Sequence, residues 1–415
     1  MAVTPAPARA PALSIGSLLL LTLTIRLAAH FALPQPLQSD GLAYFTLAQS
    51  MAEGVWPVDN LGQHAFYSIG YPLVLAPFFA LLGASAQVAF GVNLALALVT
   101  GGLIVLLARE AGLGDLGRKL ALLGYALWLP GIWNCTMLAR ENLSTPLLVA
   151  VVWLALRLLR SPARLGLAAA TGAVWGAAVL AGTSALPLIA APLLALVLGG
   201  SVRRAVVPAL VMGMGAALVL APWAMATQAM LGRPTLSTNT GFNLYIGNNP
   251  AATGRFVSIA ATPIGPQWHA MRDTLGEAGA SAALGAMARD WMAHHPAEVA
   301  RLAAVKLAAF WAPNLPDSND FALSPAVTYV RLFEVVQYLL FLTLAGMCLL
   351  LPGIGRPRQI VMMGAIAGFW ALHGIAYIID RYRDPVMPLL IVMAAAALAE
   401  IVTNRLTRRE SPHAA

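Results

Sequence analysis

The chain reads as an all-α polytopic membrane protein of about ten transmembrane helices, with interfacial helices and a long loop region on one side. Three observations predict this class. Of the 415 residues, 59% are hydrophobic and only 10% charged, whereas soluble domains carry about 25% charged residues. Mean hydropathy is +0.76. Apolar runs of roughly 15 to 25 residues recur along the length, and about 20 residues cross a hydrocarbon core about 30 Å thick.

The first run, 13–33, exceeds a typical signal-peptide core and lacks a small-x-small cleavage site, so it is read as a retained span. It exits into SDGLAYFTLAQSMAEG, residues 39 to 54, where Ser39 or Asp40 is expected to cap a helix that stops at Gly54. On that helix Asp40 and Tyr44 share a face with Leu47, Ala48 and Met51. The run YPLVLAPFFALLG, 71–83, is short for a span. If it crossed, every later connector would invert, and the basic clusters REAGLGDLGRK, RSPAR, SVRR, GRPR and NRLTRRE would face outward, against the positive-inside rule. It is therefore expected to be interfacial or re-entrant.

The remaining spans are expected at 87–108, 119–138, 143–160, 165–182, 185–200, 205–225, 329–352, 359–378 and 385–403. The N-terminus, with Arg9, and the C-terminus are then cytoplasmic. Most of the 17 acids fall on the opposite side, among them Asp40, Glu141, Asp317, Asp320 and Asp380. The outer side holds two long segments, 34–86 and 226–328. The second contains STNTGFNLYIGNNPAATGRF, with turn signals at Asn249-Pro250 and Thr253-Gly254, then HHPAEVARLAAVKLAAFWAP. In that last piece Val299, Leu302, Ala303, Leu307 and Phe310 line one face, and Arg301 and Lys306 are expected to snorkel from a membrane-surface helix. Three regions follow: a transmembrane catalytic module 1–225, the loop region 226–328, and the C-terminal helices with a basic tail, 329–415.

The net charge of +8 is spread over connectors in twos and threes rather than gathered in one patch, which argues against a nucleic-acid partner. Cys135 and Cys348 fall inside apolar runs, with neither zinc-type spacing nor a disulfide framework. The alanine and arginine bias, with two lysines, points to a GC-rich bacterial genome.

Chemistry concentrates at the outer boundary. Asp40 at the lip of the first span has helix capping as its plain reading and catalysis as its sharper one. Arg140-Glu141-Asn142 and Asp380-Arg381-Tyr382-Arg383-Asp384 sit at the same depth. The plain readings there are caps, local ion pairs and snorkelling. The sharper one is a phosphate site in which Arg381 and Arg383 offer forked donors at headgroup level. Lys306 is a further phosphate candidate. His64 and Tyr67 in GQHAFYSIGYP are candidates to line a sugar or acceptor pocket, whereas His294-His295 is read as a helix-start turn and Asn248-Asn249 as tight loop geometry.

In their order SDGLAYFTLAQSMAEG, YSIGYPLVLAPFFALLG, ARENLSTPL, NLYIGNNPAATGRF, HHPAEVARLAAVKLAAFW and RYRDPVMPLL carry a resemblance. The chain resembles the GT-C class of polyprenyl-phosphate-dependent glycosyltransferases, in particular protein O-mannosyltransferases, lipid A aminoarabinose transferases and enzymes that add sugars to lipopolysaccharide core. The resemblance implies a catalytic or metal-associated carboxylate at Asp40 and a second acidic position at Glu141. It also implies a polyprenyl-phosphate sugar as donor, a hydroxyl on a glycan, lipid or protein as acceptor, and membrane lipids as surroundings. Many members have two adjacent acids in the first loop; here Asp40 is followed by Gly41.

One carboxylate suffices for this chemistry. A glycosidase must protonate a poor leaving group and keeps two carboxyls, but a sugar on a polyprenyl phosphate leaves as a stabilised anion. A base for the acceptor hydroxyl and cations for the phosphate remain to be supplied: Asp40 for the first, Arg381 with Arg383 for the second, with Tyr44, Arg140 and Tyr382 around them. Asp40 and Glu141 can share a divalent ion or act alone, and the sequence does not choose. The expectation is an inverting glycosyltransferase of the bacterial inner membrane with a periplasmic site. The competing class is a transporter or flippase, which would place ionisable residues near the bilayer midplane. A non-enzymatic assembly or lipid-binding subunit would not need these charges to converge.

Overall fold

A computed structural model describes residues 13–315 and 325–410. Asp317, Asp320, Arg9 and the end of the basic tail lie outside the described residues. Every named element among them is helical, and the one β-bridge joins Arg255 to Ile378.

The first helix, α1 (Ile15–Ala32), starts in a capping box between Ser14 and Ser17. It is followed by α2 (Ser39–Ala52), α3 (Gly70–Leu82) and α4 (Ala86–Ala111), the last capped by Ser85 and stopped by left-handed Gly112. Then come α5 (Asp115–Leu127), α6 (Leu129–Thr136), α7 (Glu141–Arg160), α8 (Leu165–Ala181), a 3-10 turn over Thr183–Ile189, α9 (Ala190–Gly199) and α10 (Val202–Leu231). Beyond them lie α11 (Asn239–Gly247), α12 (Trp268–His294), α13 (Pro296–Trp311), α14 (Pro325–Cys348), α15 (Arg356–His373), a 3-10 segment Asp380–Val386 and α16 (Met387–Glu410).

Six helices among the described residues are long and apolar enough to cross a membrane: α1, α4, α7, α10, α14, and α16 with its 3-10 lead-in. The chain is a multi-pass membrane protein. Shorter apolar helices are α3, α8 and the Thr183–Gly199 stretch. The centre of the bundle is built on α7, whose Leu148, Val149, Val151 and Val152 are buried, and on the continuous buried run Met387–Ala397 of α16. Where α8 meets α10, Gly172 and Gly176 let the backbones touch. A Cβ at Gly172 would stand 1.8 Å from the Met212 carbonyl oxygen, the small-residue approach by which helices pack where water supplies no driving force.

The structure corrects three expectations. First, 119–138 is not one span. It breaks at extended Trp128 (φ −69, ψ 111), with Pro130 in the first turn of α6. The ring of Trp128 folds back where a Cβ at Gly131 would lie 2.4 Å from it. The break exposes carbonyls that a membrane interior cannot solvate. Buried Arg26 of α1 answers two of them, donating to Tyr125 O (3.4 Å) and Ala126 O (3.5 Å) with its guanidinium over the Tyr125 ring. Gln337 of α14 bridges the rest, accepting from Leu129 N (3.0 Å) and donating to Leu127 O (2.8 Å).

Second, neither Ser39 nor Asp40 caps α2; the cap position is Gln38, without a side-chain bond, and Ser39 takes φ +50. Third, Lys306 does not snorkel. It faces inward between Leu302 and Phe310, one turn from each, and is fully buried.

Candidate active site

Gly41 is what brings the first acid to its partners. A Cβ there would stand 3.2 Å from the Leu138 carbonyl oxygen, so the first turn of α2 lies directly against the strand of chain leading to Arg140 and Glu141. Glu141 opens α7, where a carboxylate is favoured by the helix dipole, and it is 4% exposed. The 3-10 segment Asp380–Val386 then lays Arg381 across both acids. Arg381 donates to Asp40 Oδ2 and stands 3.8 Å, through Nε, from Glu141 Oε1. Arg140 Nε is 3.7 Å from that same Glu141 oxygen. Asp40 and Arg381 each keep about a third of their side-chain surface exposed, at 34% and 35%. The cluster therefore opens to the surroundings on the Asp40 side and is closed on the Glu141 side.

Aromatic rings wall this cluster. Tyr44, one turn along α2 from Asp40, is buried and meets Tyr67 and Tyr71 edge-on at 5.4 and 5.6 Å. Tyr71 donates to Asn93 Oδ1 (2.6 Å), and Asn93 in turn holds the carbonyls of Cys135 and Met137. Burial, then the adjoining Asp40 carboxylate, pushes the Tyr67 phenol above its ordinary range, so it stays protonated. Burial does the same for Tyr44. The ring of Tyr382 lies 5.8 Å from the Arg140 guanidinium.

The expected residues are thus divided. Asp40, Glu141, Arg140, Arg381, Tyr44, Tyr67 and Tyr382 come together. Arg383 does not join Arg381. A 3-10 helix turns about 120° per residue, so positions i and i+2 face different sides. Arg383 donates to Ala312 O, lies over Tyr338 (4.2 Å) and lines a separate small cavity with Glu334, Gln337 and Asp384. Lys306 hydrogen-bonds Asn248 Oδ1 (3.2 Å) and Ile375 O (3.3 Å) rather than either acid of the cluster. Burial lowers its ammonium to about 8. His64 turns its Nδ1 to Pro57 O (2.6 Å) and is part of a loop clasp.

That clasp was not evident from the sequence. Glu277 follows Gly276, a left-handed kink (φ 67) inside α12, and accepts from the backbone N–H of His64 (2.7 Å) and Ala65 (2.8 Å) and from Thr238 Oγ1 (2.5 Å). It ties the first loop to the second. A second tie runs to the segment that carries Arg381: Ile378 N donates to Gly254 O (3.0 Å), and Arg255 pairs with Asp380 (3.2 Å). A kink glycine followed by an acid was the available signal for the first; nothing local marks the second.

A divalent ion between Asp40 and Glu141 does not fit. Among the described residues no group of three or more His, Cys, Asp or Glu gathers at metal-binding distance, and the space between the two carboxylates holds the Arg381 guanidinium.

No family model matches the chain, and no curated protein matches its sequence. Solved structures do match its fold. The archaeal oligosaccharyltransferase AglB from Archaeoglobus fulgidus, in complex with an inhibitory peptide and a dolichol-phosphate, superposes with a TM-score of 0.55 at 15% identity, over 96% of this chain and 51% of that one. The same enzyme in complex with Zn and sulfate gives 0.52 at 16% identity, over 95% and 50%. ArnT from Cupriavidus metallidurans bound to undecaprenyl phosphate gives 0.46 at 14% identity, over 94% and 79%. The chain spans about half the length of the archaeal enzyme. The architecture is the GT-C fold.

Proposed function

We propose that this GT-C chain is an inverting glycosyltransferase that moves a sugar from a polyprenyl-phosphate donor to a hydroxyl of a glycan, lipid or protein. The observation that carries the reading is the convergence of Asp40, Glu141, Arg140 and Arg381 at one end of an apolar bundle, with Asp40 on its open side. The basic connectors at the opposite ends of the helices support a periplasmic site and cytoplasmic termini. A lipid-linked donor also accords with the dolichol-phosphate bound by the archaeal enzyme of the same fold.

In this mechanism Asp40 takes the proton of the acceptor hydroxyl as its oxygen bonds to the anomeric carbon. The carbon–oxygen bond to the phosphate breaks on the opposite face, and its electron pair leaves with the phosphate. Arg140 and Arg381 supply the positive charge that this anion meets. Tyr67 and Tyr382 form the wall on which a sugar ring rests, with buried Tyr44 packed behind Tyr67. Lys306 and Arg383, each turned to other partners, are assigned to holding the surrounding segments.

The test is transfer from a panel of radiolabelled polyprenyl-phosphate sugars in proteoliposomes with acceptor present. Asp40→Asn is expected to lower the rate by about 10² to 10⁴, the usual contribution of a general base. Transfer that survives the substitution removes Asp40 from the mechanism. Absence of transfer with every donor, in wild type, returns the chain to the transport class.

A further inference from the structure

We infer that Arg381 takes the place of a divalent cation at this site, so that the chain works without a bound metal; its catalytic meaning rests on the glycosyltransferase reading above. Two carboxylates that face one another invite an ion, and a hard divalent cation asks for about six or more oxygen ligands. Here the two acids meet a guanidinium instead. Arg381 donates to Asp40 and faces Glu141 Oε1 at 3.8 Å, while Arg140 stands 3.7 Å from that same oxygen. Two negative charges are already matched by two positive ones. Adding a doubly charged ion would set it against both arginines at a distance of a few ångströms, where repulsion in a partly desolvated site is strong.

A guanidinium suits the task for a second reason. It is planar, permanently charged and carries five N–H donors, so it can hold two carboxylates at fixed separation and still present a donor to a third group. Arg381 keeps about a third of its side-chain surface exposed, while its buried Nε–H, turned to Glu141, has no hydrogen-bond partner among the described residues. The donor's phosphate meets the same guanidinium from its open side, beside Asp40. The roles an ion would have, fixing the acids and meeting the leaving anion, then both fall to one side chain supplied by the last 3-10 segment.

Uptake of Mn²⁺ by the purified full chain, followed by electron paramagnetic resonance of the free ion, tests this independently of transfer. Wild type is expected to leave the free-ion signal unchanged, and Arg381→Lys to behave likewise because a cation stays in place. Arg381→Ala is expected to gain a single Mn²⁺ site that disappears when Asp40→Asn is added. A wild-type Mn²⁺ site that is lost in Asp40→Asn overturns the inference whether or not the variants fold. So does a folded Arg381→Ala chain that takes up no ion, since the space would then not be one an ion can fill. Transfer by wild type is expected to be insensitive to EDTA. If no donor gives transfer, the glycosyltransferase reading fails while the Mn²⁺ measurements still decide this one.

Discussion

Lys306 is held from water without a carboxylate facing it, and that has a measurable consequence. Its folded-state value, about 8, lies below the ordinary 10.5 because burial disfavours the ammonium. Below pH 8 the group is charged in both states, and the folded state bears the cost of burying it. Between about 8 and 10.5 the unfolded chain binds the proton and the folded chain does not, so stability rises with pH across that window. Thermal unfolding in detergent is expected to show this rise in wild type and a flatter profile in Lys306→Met. A wild-type profile that falls over the window would contradict it. At the same scale, Gly41 accounts for the single acid of the first loop. A second carboxylate in that position would point into the Leu138 carbonyl oxygen at a distance where even a Cβ is tight. Ser39, at φ +50, stores backbone strain beside Asp40.

The break between α5 and α6 is the element whose upkeep is most exposed to mutation. Gln337 replaces one missing donor and one missing acceptor across Trp128. Gln337→Leu leaves both without partners, at about 1 to 3 kcal/mol each, and a loss of about 2 to 5 kcal/mol in unfolding free energy is expected from denaturant titration of the purified protein. A change under 1 kcal/mol would mean that the break is satisfied elsewhere, Arg26 being the obvious reserve. Most elements were legible from apolar run length alone. The break was not, because Pro130 sits where a helix tolerates proline and Trp128 is apolar, so the run stays continuous in composition. The direction of Arg383 escaped for a related reason. Whether residues two apart share a face depends on the 3-10 form of 380–386, which composition does not reveal. Lys306 was misjudged because a long charged side chain on an apolar face reads equally well as snorkelling, and only the packing of α13 against Asn248 and Ile375 distinguishes the two.

For the molecule as a whole, the membrane orientation makes the widest prediction. Cys135 and Cys348 are both buried, so they give little background in labelling with an impermeant maleimide. Leu61→Cys, in the exposed first loop, is expected to label from the periplasmic side of intact cells. Ser161→Cys, in the connector after α7, should label only after the inner membrane is opened. Labelling of both from one side would overturn the proposed orientation and with it the periplasmic site. The grouping of Asp40, Glu141 and Arg381 at one depth was readable from the sequence because span parity brings the turns at 140 and 381 to the same boundary. Which arginine meets which acid was not, since that is decided by close packing at Gly41 and by the ties from Gly254 and Arg255.

The pair that closes the site is also a statement about time. Asp40 and Arg381 lie 341 residues apart, so at synthesis rates of about 5 to 20 residues per second roughly 20 to 70 seconds pass between their emergence from the ribosome. Through that interval the first acid is inserted and waiting, with Glu141 arriving early and the bridging guanidinium last. A nascent chain stalled before residue 381 therefore has both carboxylates, with Arg140 beside Glu141, and lacks the guanidinium that reaches both acids. Completion of the last 3-10 segment is thus the event that brings the bridging guanidinium to the two carboxylates, and the cluster exists only in the nearly finished chain.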